Sequence, residues 1–369
     1  MSRFARVRRV FFLEEPIFEG AQPYLRSFVC PNTGVHVHTP VLPAGLTRQE
    51  IAHLQQQLLG SMLVEQGITA YIAWYYTPMA KEFATNLSPS VTVYDCMDEL
   101  SAFAGAPPAM RMNEEILFHD ADLVFTGGAS LFESKRKQHR SVHLFPSSVD
   151  ISHFAKARSL KHDPPDQAHI SHPRLGYAGV IDERMDLDLL RYVAAERTDW
   201  QLILLGPVVK IDPASLPRAA NIHYLGMKPY TDLPAYLSGW DIGMLPFAVN
   251  ESTRFISPTK TPEYLAAGLP VISTPIRDVV TPYGDLALVE IATNPAEFVR
   301  AAESLLQNPP TSEFRDRVDR FISQSSWDKT WNDMNRLIEN SYALKNFPAV
   351  SRPQAASAIQ TRLKGDAHV

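Results

Sequence analysis

The chain has 369 residues, 45% of them hydrophobic and 20% charged, with a formal net charge of −5 at pH 7. That length allows two domains with separate cores, and the acidic balance argues against general nucleic-acid binding. No apolar run approaches the roughly 18 residues a membrane-crossing helix requires, and the two cysteines, Cys30 and Cys96, have neither C-x-x-C nor zinc-ligand spacing, as expected of buried thiols in a reducing compartment.

The N-terminal run Met1–Arg9 is basic, but only the short strand-like Val10–Leu13 follows before Glu14 and Glu15 end it. A signal peptide is not expected from this pattern, and a cytoplasmic protein is. Contact with a membrane surface through basic and aromatic side chains stays open. Short apolar runs then alternate with longer amphipathic stretches, the pattern of a parallel sheet covered by helices. In the first half, strands are predicted at Val7–Leu13, Val35–His38, Ala70–Trp74, Val91–Tyr94, Leu123–Phe125 and Val142–Phe145, with helices at Gln49–Gln66 and Pro108–His119. In the second half, strands are predicted at Arg174–Ala178, Trp200–Leu205, Ile222–Leu225, Ile242–Pro246, Val271–Ser273 and Leu286–Glu290. Helices are predicted there at Asp186–Glu196, Thr231–Gly239, Pro258–Ala267 and Pro295–Gln307. Two successive sets of about six strands imply two doubly wound α/β units. Residues 156–173 are polar and rich in Pro and His and read as the linker, so the units fall at 1–155 and 174–325. The tail 348–369 lacks any pattern and is predicted to be disordered.

One segment is unlike the rest. Ser257-Pro258-Thr259-Lys260-Thr261-Pro262-Glu263-Tyr264-Leu265-Ala266-Ala267-Gly268 runs directly into Leu269-Pro270-Val271-Ile272. Ser257 before Pro258 and Thr261 before Pro262 are both helix-start pairs, which leaves the start ambiguous by one turn. Gly268 suits a left-handed C-terminal cap, and Pro270 blocks continuation. Lys260 and Glu263 stand three apart near the start. Backbone N–H groups, the helix dipole and an ammonium can there face an anion, and a carboxylate can accept from a sugar diol. A nucleoside diphosphate needs that combination.

The segment resembles the donor-site helix of GT-B glycosyltransferases, whose usual form is S-P-x-K-x-x-E-Y-x-A-x-G-x-P-V. The resemblance implies the GT-B fold: two Rossmann-like domains facing across a cleft, acceptor in the first and nucleotide sugar in the second. It assigns Ser257, Lys260 and Glu263 to donor binding, with Glu263 on the ribose. Residues 326–347, from Ser326-Trp327-Asp328, resemble the C-terminal helix that packs back on the first domain, and Pro146–Phe154 resembles the crossover segment.

Other positions fall around the same sheet edge. Leu175–Arg184 is a strand ending in a glycine turn, where Gly179 lets backbone approach a phosphate and Arg184 can fork onto a diphosphate. Many relatives have Gly-Arg here, and this chain has Gly179-Val180. Gly206 ends the next strand on the same edge. Main-chain groups near Met227 and Lys228 resemble those that hold the nucleobase, with Tyr230 as a cover. Many retaining relatives carry a glutamate eight residues before the equivalent of Glu263, and here that position is Phe255.

In the first half, Val91–Leu100 delivers Asp95, Asp98 and Glu99 to a strand's carboxyl end, facing the cleft. A transferase that inverts needs a carboxylate to take the acceptor's proton, so Asp95 or Asp98 is the candidate base. Asp120-Ala121-Asp122 precedes a strand and so lies at the wrong end of the sheet to act as a metal-binding D-x-D. Thr126–Ser130 reads as a turn. His36 and His38 read as polar strand residues. No metal site and no required cofactor are expected; the donor itself is the substrate. The activity implied is transfer of a sugar from a nucleoside diphosphate, UDP favoured, to a hydroxyl of a glycan or lipid-linked acceptor in polysaccharide or cell-envelope synthesis. A nucleotide-sugar 2-epimerase shares the fold and donor pocket. The departures from the motif also leave open a non-catalytic nucleotide-sugar-binding subunit of an assembly complex.

Overall fold

The computed structural model describes residues 1–103 and 105–346; the tail 348–369 lies outside the described residues. Three sheets carry the architecture. The first holds β1 (Phe11–Leu13), β2 (Ile17–Phe18), β3 (Tyr24–Val29) and β4 (His36–Leu42), with β1 and β2 parallel to β4 and β3 antiparallel along its other side. The second is parallel, β5 (Ile72–Tyr75), β6 (Val91–Cys96), β7 (Leu123–Thr126) and β8 (Val142–Leu144), in that order. The third comprises β9 (Arg174–Ala178), β10 (Gln201–Leu205), β11 (Ile222–Gly226), β12 (Ile242–Leu245), β13 (Val271–Ser273) and β14 (Glu290–Ile291). It is parallel throughout, in the order β11-β10-β9-β12-β13-β14. The reversal at β9/β12 is the topological switch point, where such sheets bind ligands beyond their carboxyl ends.

In chain order the helices are α1 (Arg48–Glu65), α2 (Ala109–Asp120), α3 (Ala129–Lys135), α4 (Ile151–Phe154), α5 (Leu187–Glu196), α6 (Leu233–Leu237), α7 (Lys260–Ala267), α8 (Arg277–Val279), α9 (Pro295–Gln307), α10 (Ser312–Ile322) and α11 (Trp327–Asn346). Local chemistry accounts for several starts. Thr47 Oγ1 accepts from the Glu50 N–H while the Glu50 carboxylate accepts from the Thr47 N–H at 2.8 Å, a capping box. Asp186 and Asn294 cap α5 and α9 with their side chains.

The second half has one large apolar core built on β9–β13, of which β9, β10, β12 and β13 are buried on both faces while the edge strand β11 is half-buried. In the first half, two smaller clusters lie on opposite faces of the second sheet. Tyr94 and Cys96 point to the α2 side; Val91, Val93 and Phe125 point to a cluster with Phe4 and Ile338 of α11. The C-terminal helix therefore packs back on the first half, where Asp328 and Glu339 also pair with Arg3 and Arg8 at 2.6 and 2.8 Å.

Three expectations are set beside the structure. The first half is two four-stranded sheets, not one continuous doubly wound set. The strand expected over Val7–Leu13 begins only at Phe11, because Phe4–Arg6 winds into a 3₁₀ turn that buries Phe4. Within residues 156–173, read as a linker, most side chains are exposed, while Ala157, Gln167 and Ile170 are buried.

Candidate donor site and interdomain cleft

The helix of the donor motif begins at Lys260, with Thr259 as its N-cap and no side-chain cap, so neither expected Ser/Thr-Pro pair sets its start. It ends at Gly268, which adopts φ 86° and returns its N–H to the Leu265 carbonyl. Pro262, Tyr264, Leu265, Ala266 and Ala267 are buried in the second core, which leaves Lys260 and Glu263 on the partly open side. Lys260 Nζ donates to Glu263 Oε2 at 3.1 Å. Burial pushes the Glu263 carboxyl up, and Lys260 and then His153 offset part of that.

The helix is pinned to the switch point. Tyr264, fully buried, accepts the Ala178 N–H on its phenol oxygen at 2.7 Å, one residue before Gly179. Gly179 in turn donates to the Leu205 carbonyl, beside Gly206. Gly206 sits at φ 139°, and a Cβ there would lie 1.8 Å from the Gly179 carbonyl oxygen. Gly206 is thus required by the approach of two strand ends, a structural reason beyond the pocket-lining role expected of it. The β11 loop completes the edge. Met227 is exposed, whereas Lys228 turns away to pair with Asp166 at 2.5 Å, which leaves that loop's main chain and Tyr230 to face the site.

Arg184 is not a free guanidinium. It grips Asp182 through Nε and Nη2 at 3.0 and 2.7 Å and lies 5.6 Å from the centre of the Phe103 ring of the first half. The Phe103 ring has Lys210 Nζ at 5.3 Å as well. Asp98 lies within electrostatic reach of Arg184: burial pushes its carboxyl up, and Arg184 pulls it down. Arg184 and Asp98, from opposite halves, thus lie within electrostatic reach of one another.

The other candidate base is placed differently from expectation. Asp95 is 4% exposed, so it does not face open cleft. It accepts from Trp74 Nε1 at 3.1 Å on the α11 side of the sheet, and burial pushes its carboxyl up to about 7. Glu99 also turns inward. Its carboxylate meets Lys135 Nζ at 2.8 Å; that ammonium is 2% exposed and also bonds Glu114, which accepts from the Tyr94 hydroxyl. Asp120 pairs with Lys81, and Asp122 accepts from the Thr92 N–H and Lys345, so the D-x-D run is occupied structurally. Among the described residues, no group of three or more His, Cys, Asp or Glu is placed to hold a metal ion.

Three cross-half contacts were not read from the sequence. Asp278 Oδ1 accepts the Ser130 N–H at 2.9 Å, so a carboxylate of the second half sits on the start of α3 in the first. Gly128 lies under this contact; a Cβ there would be 2.2 Å from Asp278 Oδ2 and 2.8 Å from the Ser257 Cβ. The Thr126–Ser130 segment is therefore more than a turn, and Ser257 faces it. Finally, Phe255 packs on the first half's apolar cluster of Tyr94, Cys96 and Leu131. The position that carries a glutamate in many retaining relatives here supplies an aromatic anchor between the halves and no carboxylate.

Comparison with known proteins agrees with this geometry. The structure superimposes on sucrose-phosphate synthase from Thermosynechococcus elongatus with a TM-score of 0.68 and 15% identity, covering 93% of this chain and 91% of that one. Anabaena HepE in complex with UDP and glucose gives a TM-score of 0.61 at 13% identity, covering 84% and 87%. Residues 172–308 match the family described as "Glycosyl transferases group 1". The fold is that of GT-B glycosyltransferases, and residues 172–308 carry the match to the group 1 family. The chain is also 24% identical over 291 residues, 72% of its own length and 70% of the other's, to a Bacillus subtilis (strain 168) protein assigned to teichuronic acid biosynthesis as glycosyltransferase TuaH. The family match spans β9 to α9, the part that holds every candidate donor-binding residue.

Proposed function

We propose that the enzyme transfers a sugar from a nucleoside diphosphate donor, UDP in the first instance, to a hydroxyl of a glycan or lipid-linked acceptor in cell-envelope polysaccharide synthesis. One observation carries the donor site: Lys260 and Glu263, at the start of a helix pinned by Tyr264 to the Ala178–Gly179 strand end, stand at the switch point of the third sheet. In this reading the ribose diol binds Glu263. Lys260 and the α7 N-terminus take the diphosphate, with Arg184 able to join them by releasing Asp182. No cofactor is needed beyond the donor. Residues up to about 155 serve as the acceptor side and the residues from β9 onward as the donor domain. The teichuronic acid assignment of the TuaH relative favours a cell-envelope acceptor, and the UDP held by HepE favours that nucleotide.

The test is calorimetric titration of UDP, GDP, ADP and CDP into the wild type, Lys260→Ala and Glu263→Ala. One diphosphate should bind selectively. Each variant should weaken it by about tenfold or more, the scale of a lost charge-assisted hydrogen bond, with unchanged circular dichroism. Equal affinity in both variants and the wild type would remove the site assignment. Release of free UDP from UDP-sugars with no acceptor present would point instead to the epimerase chemistry.

We also propose that the enzyme works at the cytoplasmic face of a membrane. No helix among the described residues is long and apolar enough to cross one. On β3, however, Tyr24, Arg26 and Phe28 project from one face and are all exposed. Aromatic rings with a cation between them suit the headgroup region of anionic lipid. Anionic phosphatidylglycerol vesicles should sediment the wild type severalfold better than Tyr24→Ser/Phe28→Ser; equal sedimentation of both would count against this contact.

A further inference from the structure

Tyr230 is held from two directions by one residue of the crossover segment. His153, on α4, is itself fixed by Asp150, whose carboxylate accepts the His153 N–H at 3.0 Å. The imidazole is buried, and its Nε2 lies 2.9 Å from the Tyr230 carbonyl oxygen. A carbonyl only accepts, so Nε2 carries the proton. The two rings stack, with centroids 4.4 Å apart and planes 12° from parallel. Phe154 stands edge-on to both, at 5.0 Å from His153 and 5.6 Å from Tyr230. Backbone and one ring face of Tyr230 are thereby fixed.

The phenol ring nevertheless remains 51% exposed. An exposed aromatic held this firmly, next to a carboxylate assigned to a ribose, has the form of a stacking platform. Glu263 lies within electrostatic reach of Tyr230: burial raises the phenol, and the charge on Glu263 adds to the rise. Pro229 precedes the 3₁₀ turn that carries Tyr230, limiting its backbone further.

We infer that His153 is the positioning residue of the nucleoside site, holding Tyr230 as the platform on which the base of the nucleoside diphosphate stacks. This rests on the donor-site reading of Lys260 and Glu263. It adds a residue from outside the donor motif, 77 positions from Tyr230, to the determinants of nucleotide affinity. The platform reads the π-face of the base, so it contributes affinity to every nucleotide and leaves discrimination among bases to the main chain of the β11 loop.

The experiment compares the best-binding of UDP, GDP, ADP and CDP with inorganic pyrophosphate, the latter measured by competition, on the wild type, His153→Ala, His153→Phe, Tyr230→Ala and the His153→Ala/Tyr230→Ala double variant. His153→Ala should weaken the nucleotide by about tenfold, on the scale of one base–aromatic stack, and leave pyrophosphate unchanged. Tyr230→Ala should match it, and the double variant should be no weaker than Tyr230→Ala alone. His153→Phe, which keeps the stack and loses the hydrogen bond, should fall between and melt like the wild type. Full nucleotide affinity in His153→Ala, with loss in Lys260→Ala, would overturn the positioning role and leave the donor site standing. Parallel loss of nucleotide and pyrophosphate in both His153 variants would make His153 merely structural and would also overturn it. Failure of the wild type to bind any of the four diphosphates would remove the donor site and this inference together.

Discussion

Asp98→Asn is expected to lower turnover by about 10²- to 10⁴-fold, the contribution of a positioned proton acceptor, while nucleoside diphosphate affinity stays within about twofold. The reasons are positional. Asp98 follows β6 at the sheet's carboxyl end in the first half and lies within electrostatic reach of Arg184 in the second half. A carboxylate there can take the proton of an acceptor hydroxyl as it attacks a sugar whose diphosphate leaves towards Lys260. Burial raises the carboxyl, which strengthens it as a base, and Arg184 offsets part of that rise. Asp98→Asn keeps size and polarity and removes only the basic oxygen. Asp95 provides the contrast. It is buried against Trp74, with no open path to an acceptor, so Asp95→Asn should cost only a few-fold. The measurement is UDP release from a panel of UDP-sugars with a cell-envelope lipid extract as the acceptor source, across pH. If Asp95 were the base, its carboxyl near 7 would put the acid limb of the profile there, and Asp95→Asn would be the inactive variant. Turnover unaffected in both variants would exclude either aspartate as the base.

Arg174→Ala is expected to cost about 3–5 kcal/mol of stability, the scale for breaking a buried ion pair by removing one partner. The guanidinium is 2% exposed at the head of β9. Nη1 donates to Asp163 at 2.7 Å and to the Gly239 carbonyl at 3.1 Å, and Nε donates to the Ile170 carbonyl at 2.9 Å. Asp163 also accepts from Gln167, which in turn accepts from Trp240 Nε1 and donates to the Tyr236 carbonyl, each at 3.0 Å. Truncation would leave a carboxylate and two carbonyls short of donors inside the core that supports the donor sheet. Urea unfolding should show the loss as a lower midpoint; a midpoint within experimental error of the wild type would refute it. The network also has a pH signature. Burial pushes the Asp163 carboxyl up, but hydrogen bonds from Arg174 and Gln167 outweigh it and hold the carboxyl below its ordinary 3.8. A depressed carboxylate stabilises the fold fully above its unfolded value and loses that contribution as pH falls through the lower folded one. The Arg174-dependent difference between wild type and variant should therefore shrink below about pH 4.

What could be read before the fold was known follows from how local each feature is. The third sheet's strands were visible because parallel strands covered on both faces are continuous apolar runs, as in Leu202–Leu205. The left-handed stop at Gly268 is written within a few residues of chain and is found where expected. β2 and β3 were missed: β2 is two residues long, and β3 is largely exposed, so neither shows the apolar run that marks a buried strand.

By itself, the sequence determined that this chain builds a parallel α/β sheet with a charged helix start at its edge, because backbone caps, apolar period and motif spacing act over less than two turns of helix. Only the tertiary structure decided which side chains face that edge. Arg184 is held by Asp182 beside a first-half phenylalanine, Phe255 fills an apolar cluster, and Asp95 lies buried while Asp98 meets the cleft. Asp278 reaches Ser130 across 148 residues, and His153 reaches Tyr230 across 77. No local periodicity encodes such pairs: each is fixed by where two separately folded sheets bring their loops together, and burial and charge are properties of that meeting.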